Sequence, residues 1–173
     1  MSFFTFQNAR INYTDKGFGL TLVFLHGFPF SLDVWNEFSQ ELSKNYRVIC
    51  IDLPGFGRSE CVAEEHAMNL MADVTYALLK SLQVEKCILT GHSMGGYVTL
   101  AFAEKYPECL YGYCLFHSHP LPDSNQKKKE RETVIESVKK DHTLLVKNMI
   151  PGLFAEENKV NHRETINDLV NRS

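Results

Sequence analysis

The sequence contains no apolar run near the ~18 residues a membrane-crossing helix needs, and no cationic-then-apolar leader at its start. Neither a membrane span nor secretion is indicated. Positive charge is not in excess: 18 Lys and Arg face 21 Asp and Glu, for a net charge of -3. That balance gives no footing for nucleic acid. The cysteines (Cys50, Cys61, Cys87, Cys109, Cys114) contain no C-x-x-C pair. Most lie inside apolar runs, so they read as buried, reduced thiols of a cytoplasmic protein. There is no internal repeat and no low-complexity segment. No cofactor motif and no convincing metal set is present, so neither is expected.

What is present is globular: 173 residues, 44% hydrophobic and 23% charged, enough for one substantial core. Residues 3–7 and 9–14 read as a short hairpin closed by Asp15-Lys16-Gly17. Thr21 to Leu25 is continuously apolar, which suits a central parallel strand covered on both faces. His26-Gly27-Phe28-Pro29 breaks it. Ser31 or Asp33 can cap a helix through Leu42, with Val34, Trp35, Phe38 and Leu42 on one face. Tyr46 to Leu53 is the next strand, ended by Pro54-Gly55-Phe56-Gly57-Arg58-Ser59. Residues 67–82 predict a helix, with Leu70, Val74, Leu78 and Leu82 at helical spacing. Cys87 to Thr90 is a strand, a helix runs on to about Lys105, and Leu110 to Phe116 is another strand. This alternation predicts an α/β fold: a mostly parallel sheet with helices on both faces, in three layers. Ligands then bind at the carboxyl ends of the strands, where the loops at 26–31, 54–60 and 91–95 can meet.

The character changes after Phe116. Gln126 to Lys140 is a highly charged helix candidate. Lys127-Lys128-Lys129 is balanced by Glu130, Glu132 and Glu136 and reads as a solvated face. Two further helical stretches, 142–150 and 161–171, flank Pro151-Gly152. The expected division is a core over 1–119 and a partial helical cap or tail over 120–173.

Gly91-His92-Ser93-Met94-Gly95-Gly96 sits between a strand and a helix. This is the G-x-S-x-G arrangement of a nucleophile elbow. A serine at such a tip is held in an unfavourable backbone conformation with its hydroxyl clear of the sheet. Side chains at Gly91 or Gly95 would crowd the strand–helix crossing. The helix start points free N–H groups and partial positive charge to where an oxyanion would form.

With His26-Gly27-Phe28-Pro29 and Asp52-Leu53-Pro54-Gly55-Phe56-Gly57-Arg58-Ser59, the elbow makes residues 10–118 resemble the α/β-hydrolase fold family. The resemblance implies that Ser93 is the nucleophile and that the backbone N–H groups of Met94 and Phe28 form the oxyanion hole. Residue chemistry agrees, since Pro29 has no N–H to give. It also implies that His26 and Asp52 organise loops. A serine at this point implies acyl chemistry on a carboxylic ester or related small-molecule substrate, through a serine hydrolase mechanism.

A serine needs a general base, usually His, oriented by a carboxylate, and in this fold both follow the nucleophile. No such strands follow Phe116. The expectation is therefore a truncated hydrolase whose acid and His lie beyond Ser173 and whose activity is impaired. His92 is explained by its motif, and His66 reads as a surface residue. His117 and His119 lie near the site edge, with Asp123 as a possible acid. Together those three form a weak metal pattern, better read as a solvent-facing turn. His142 and His162 fall on the presumed cap. Phe28, Phe30 and Trp35 are candidates for an acyl pocket, with Phe28 expected near the site and Trp35 in packing. The rival reading is a non-catalytic binding or interaction protein on a hydrolase scaffold. Leu110 to Phe116 would be a sheet edge, which favours a homodimer or swapped assembly.

Overall fold

The computed structural model describes residues 2–172. β1 (Ser2–Phe6) and β2 (Ala9–Lys16) form an antiparallel hairpin. β2 also runs antiparallel to β4 (Arg47–Ile51). β3 (Thr21–Leu25) lies between β4 and β5 (Cys87–His92), parallel to both, and β5 pairs in parallel with β6 (Leu110–Phe116). The sheet order is β1-β2-β4-β3-β5-β6. The α/β architecture is the expected one, with a mostly parallel sheet covered on both faces.

The strand sequences explain the layers. T-L-V-F-L and R-V-I-C-I are apolar at nearly every position, as a strand buried on both faces requires. Their side chains alternate between two cores. Val23, Leu25, Ile49 and Ile51 pack with Val74 and Leu78 of α2 (Met68–Ser81) and with Val98 and Phe102 of α3 (Met94–Lys105). Phe24, Val48 and Cys50 pack on the opposite face with Leu32 and Trp35. Those two residues belong to a 3-10 turn, Leu32–Trp35, which Ser31 caps by accepting from the Asp33 N–H. The turn leads into α1 (Asn36–Leu42).

This turn corrects one expectation. A 3-10 turn advances by about 120° per residue rather than 100°, so the helical phase set by Val34 and Trp35 does not carry into α1. Phe38 is 52% exposed and Ser39 takes the buried position. The cysteines divide as well. Cys50, Cys87 and Cys109 are buried, but Cys61 and Cys114 are exposed, against expectation; all five are free thiols. Cys61 lies in the long loop after β4 and Cys114 on the edge strand β6. Burial pushes the Cys50 and Cys87 thiols up to about 12, which keeps them protonated and unreactive.

The chain divides into two compact units, one up to Pro120 and one from Leu121. The second is helical: α4 (Asn125–Lys140), α5 (His142–Met149), a 3-10 turn at Ile150–Leu153, α6 (Glu156–Lys159) and α7 (Arg163–Arg172). Ser124 and Asp141 cap α4 and α5 through their side chains. No residue of α4 is buried, and Lys127–Glu130 and Lys139–Glu136 pairs run along it.

Topology selects the site. β3 hands the chain to β4 on one side, while β5 hands it to β6 on the other. β3 and β5 are neighbours, so a crevice opens between their carboxyl ends. The loops at 26–31 and 91–95 leave those two ends.

Candidate active site

Ser93 stands between β5 and α3 with φ 49° and ψ -112°. A non-glycine residue enters that region only under constraint, at a cost of about 1–3 kcal/mol. The constraints are visible. The Ser93 N–H donates to the Phe116 carbonyl at 3.1 Å, and the Ser93 carbonyl accepts from the Gly96 N–H at 2.9 Å. Helix and strand cross so closely that a Cβ on Gly91 would lie 2.2 Å from the Gly95 carbonyl oxygen. A Cβ on Gly95 would lie 2.6 Å from the carbonyl oxygens of Leu25 and His26.

The loop after β3 lies against the serine. A Cβ on Gly27 would sit 3.0 Å from Ser93 Cβ and 2.9 Å from His92 Nδ1. Thus Gly27-Phe28, Ser93 and Met94 come together. Among the described residues neither the Phe28 N–H nor the Met94 N–H has a hydrogen-bond partner. Met94 opens a helix of 12 residues, whose first N–H groups have no partner within it and carry partial positive charge. Of the three acyl-pocket candidates only Phe28 keeps an open ring, at 37% exposure against 7% for Phe30 and 3% for Trp35. Trp35 packs on Phe24 with ring centroids 4.9 Å apart.

The third loop is tied in by Asp52 and His26. The buried Asp52 carboxylate accepts from the Leu32 N–H (2.7 Å), Asn12 Nδ2 (2.7 Å) and the Arg58 N–H (2.9 Å). His26 is fully buried. The Leu53 N–H donates to its Nε2 at 3.0 Å, so the ring proton sits on Nδ1, facing the Gly27 carbonyl at 3.0 Å. Phe56 meets both His26 and Phe28 edge-on. Both residues organise loops, as their place in the motifs implied.

His26 sets a pH dependence. Burial lowers its pKa below the ordinary 6.5, and burial with the neighbouring His117 lowers that of His92. A proton on Nε2 would face the Leu53 N–H. The unfolded chain therefore binds protons more readily, and stability falls as pH drops through about 6.5. Above that value both states are neutral and the contribution is complete. The urea midpoint is expected to be lower at pH 5.5 than at pH 8, with a shallower dependence in His26→Asn. Equal midpoints in wild type would refute this.

The other imidazoles do other work. His66 is not a simple surface residue: its Nε2 accepts from the Val62 N–H at 3.0 Å and pins the loop before α2. His117, at φ 47°, lies edge-on to His92 with centroids 6.3 Å apart. His119 faces Tyr97 instead. Asp123 is bonded by the Arg131 guanidinium. The His142 side chain lies outside the described residues. Among those described, no imidazole is hydrogen-bonded to the Ser93 hydroxyl.

Sequence reasoning missed Asn12 and Ser118, and named Ser59 only within a motif, without a role. Asn12 and Ser59 close a buried ring around Asp52: Asn12 N–H donates to Ser59 Oγ (2.9 Å), and Ser59 Oγ–H donates to the Asp52 carbonyl (2.7 Å). Ser118 Oγ donates to the Ser93 carbonyl at 2.9 Å. Ser59 closes the motif that opens at Asp52, which was its available signal; Asn12 lies in a strand of mixed polarity, A-R-I-N-Y-T-D-K, and gave none. Ser118 had none.

The model of the alpha/beta hydrolase fold matches residues 21–128, more than half the chain. The chain belongs to that family. Among curated alpha/beta hydrolases it resembles the 2-hydroxy-6-oxononadienedioate/2-hydroxy-6-oxononatrienedioate hydrolase of Paraburkholderia phymatum. The two are 39% identical over 105 residues, covering 57% of this chain and 36% of that protein. It is 37% identical over 105 residues to the pimeloyl-(acyl-carrier protein) methyl ester esterase of Aeromonas hydrophila, covering 60% of this chain and 40% of that one. The solved structure of a thermophilic esterase from Thermogutta terrifontis superposes with a TM-score of 0.88 at 36% identity, covering 95% of this chain and 61% of that chain. The matched region thus spans well under half the length of these two curated hydrolases. No helix among the described residues is long and apolar enough to cross a membrane.

Proposed function

We propose that this chain carries the acyl-transfer centre of a serine hydrolase acting on a carboxylic ester or related acyl group. The observation that carries the reading is Ser93, strained at φ 49° on the strand–helix corner, beside two unpartnered main-chain N–H groups. Ser93 Oγ attacks the substrate carbonyl carbon, and the carbonyl electrons move to its oxygen. The Phe28 and Met94 N–H groups receive that oxyanion, helped by the positive end of α3. Ester chemistry is supported by the esterase likeness over 95% of the chain.

The hydroxyl proton must leave during attack. With no imidazole bonded to Ser93 among the described residues, acylation by a reactive reagent is favoured over steady turnover. Losing the base costs several powers of ten in rate, leaving the contribution of binding and the oxyanion hole. Hydrolysis of p-nitrophenyl acetate by the 173-residue chain is therefore expected near background.

Prolonged treatment with a fluorophosphonate, followed by peptide mass spectrometry, tests the assignment. The adduct is expected on Ser93 in wild type and nowhere in Ser93→Ala. Absence of an adduct on Ser93 would favour the second reading, a non-catalytic binding module on this scaffold, which draws on the missing imidazole contact. Robust ester turnover abolished by Ser93→Ala would instead show that a base is present within the chain.

A further inference from the structure

The peptide that links Ser93 to Met94 is held from an unexpected direction. Its N–H, on Met94, is the one assigned above to the oxyanion. Its carbonyl, on Ser93, accepts two bonds: from the Gly96 N–H within the corner and from Ser118 Oγ at 2.9 Å. Ser118 lies 25 residues away, just past β6. Two residues before it, the Phe116 carbonyl takes the Ser93 N–H at 3.1 Å. Between them His117 adopts φ 47°, a left-handed turn that lets one short segment grip both peptides flanking the serine's α-carbon.

We propose that Ser118 is a positioning residue: its hydroxyl orients and polarises the Ser93–Met94 peptide so that the Met94 N–H faces the developing oxyanion. The proposal rests on reading Ser93 as the nucleophile. Two physical facts carry it. A peptide unit is planar, so fixing the direction of its carbonyl fixes the direction of its N–H. An amide whose oxygen accepts a hydrogen bond is also a stronger donor at nitrogen, because bonds in a chain polarise one another. The bond further opposes the relaxation of a backbone that would otherwise leave the left-handed region.

Gly96 shows how closely the hydroxyl is fitted. A Cβ there would lie 2.3 Å from Ser118 Oγ and 2.5 Å from Ser118 Cβ, while its next neighbour, the Gly91 carbonyl oxygen, is at an ordinary 3.4 Å. The space beside Gly96 is thus taken by Ser118 alone. Gly96→Ala should displace Ser118 and act like its loss. In a Ser118→Gly background the same methyl should cost little more, a non-additivity expected of two residues sharing one contact.

The experiment uses the full chain and two readouts. The first is the Met94 amide resonance in an amide proton–nitrogen correlation spectrum. The second is the rate of Ser93 modification by a fluorophosphonate. Ser118→Ala is expected to shift the Met94 resonance and slow modification about twofold to tenfold, the range set by one neutral hydrogen bond. Gly96→Ala should do the same, and Gly96→Ala with Ser118→Gly should be no slower than Ser118→Gly alone. An unmoved Met94 resonance in Ser118→Ala would overturn the proposal. So would an unchanged modification rate in a protein whose labelling Ser93→Ala abolishes. If wild type fails to label at all, the nucleophile assignment fails, and the Met94 resonance still decides whether Ser118 holds the peptide.

Discussion

Asp52→Ala is expected to cost about 4 kcal/mol of stability, a large share of the total that holds a domain folded. The side chain is buried and accepts three hydrogen bonds from three separate segments: β2 through Asn12, the turn after the β3 loop through Leu32, and the loop after β4 through Arg58. Truncation leaves all three donors facing a small apolar side chain. A stranded buried donor costs about 1–3 kcal/mol, against a total of about 5–15 kcal/mol for a domain. Water entering the gap offsets part of the loss. Gly57 shows that nothing larger fits, since a Cβ there would lie 2.4 Å from Asp52 Oδ2. Asp52→Asn keeps one acceptor oxygen and should cost roughly half as much. Urea denaturation followed by tryptophan fluorescence reads this directly, because Trp35 packs in the turn that Asp52 anchors. A loss below about 1 kcal/mol in Asp52→Ala would mean that the bonds to Asp52 contribute far less than unsatisfied donors normally do.

Gly91→Ala is expected to cost at least about 3 kcal/mol, the upper end of overpacking penalties, and to remove Ser93 modification. The added methyl would meet the Gly95 carbonyl oxygen at 2.2 Å, the Gly95 carbonyl carbon at 2.4 Å and Thr99 Oγ1 at 2.4 Å. Two of these are backbone atoms, which cannot turn aside. α3 must then lift off β5, but its other side is set against the end of β3 through Gly95. The strand–helix corner opens, and Ser93 relaxes out of its left-handed conformation. Gly112→Ala is the control, because a Cβ there meets nothing within 4 Å. A Gly91→Ala protein with near wild-type melting temperature and labelling would show that the crossing is loose.

The two substitutions differ in how far their importance could be read in advance. The role of Gly91 is local: strand, corner and helix follow one another within a few residues, and glycine at both flanks marks a crowded corner. For the same reason β3, β4 and α2 were legible: β3 and β4 are short, nearly continuous apolar runs, as strands buried on both faces require, and the apolar residues of α2 repeat at the helical period. Phe38 was misplaced where a 3-10 turn interrupted that period. Cys61 and Cys114 were misjudged because a cysteine in a loop or on an edge strand has nothing packed over it, whatever its neighbours in the chain. His66 looked like a surface residue because its partners, the N–H groups of the loop before it, are ordinary main chain.

By itself the sequence determined the strands, the helices and the corner that lifts residue 93, because each depends on side-chain periodicity and steric limits within a few residues. Only the tertiary structure decided that Asn12, Ser59 and Asp52 close one buried ring, and that Ser118 grips the peptide after Ser93. Apart from the Ser59–Asp52 bond, which spans 7 positions, those bonds join residues 25 to 47 positions apart. Their geometry exists only once β2 pairs with β4 and β5 pairs with β6, which brings the segments beyond those strands together.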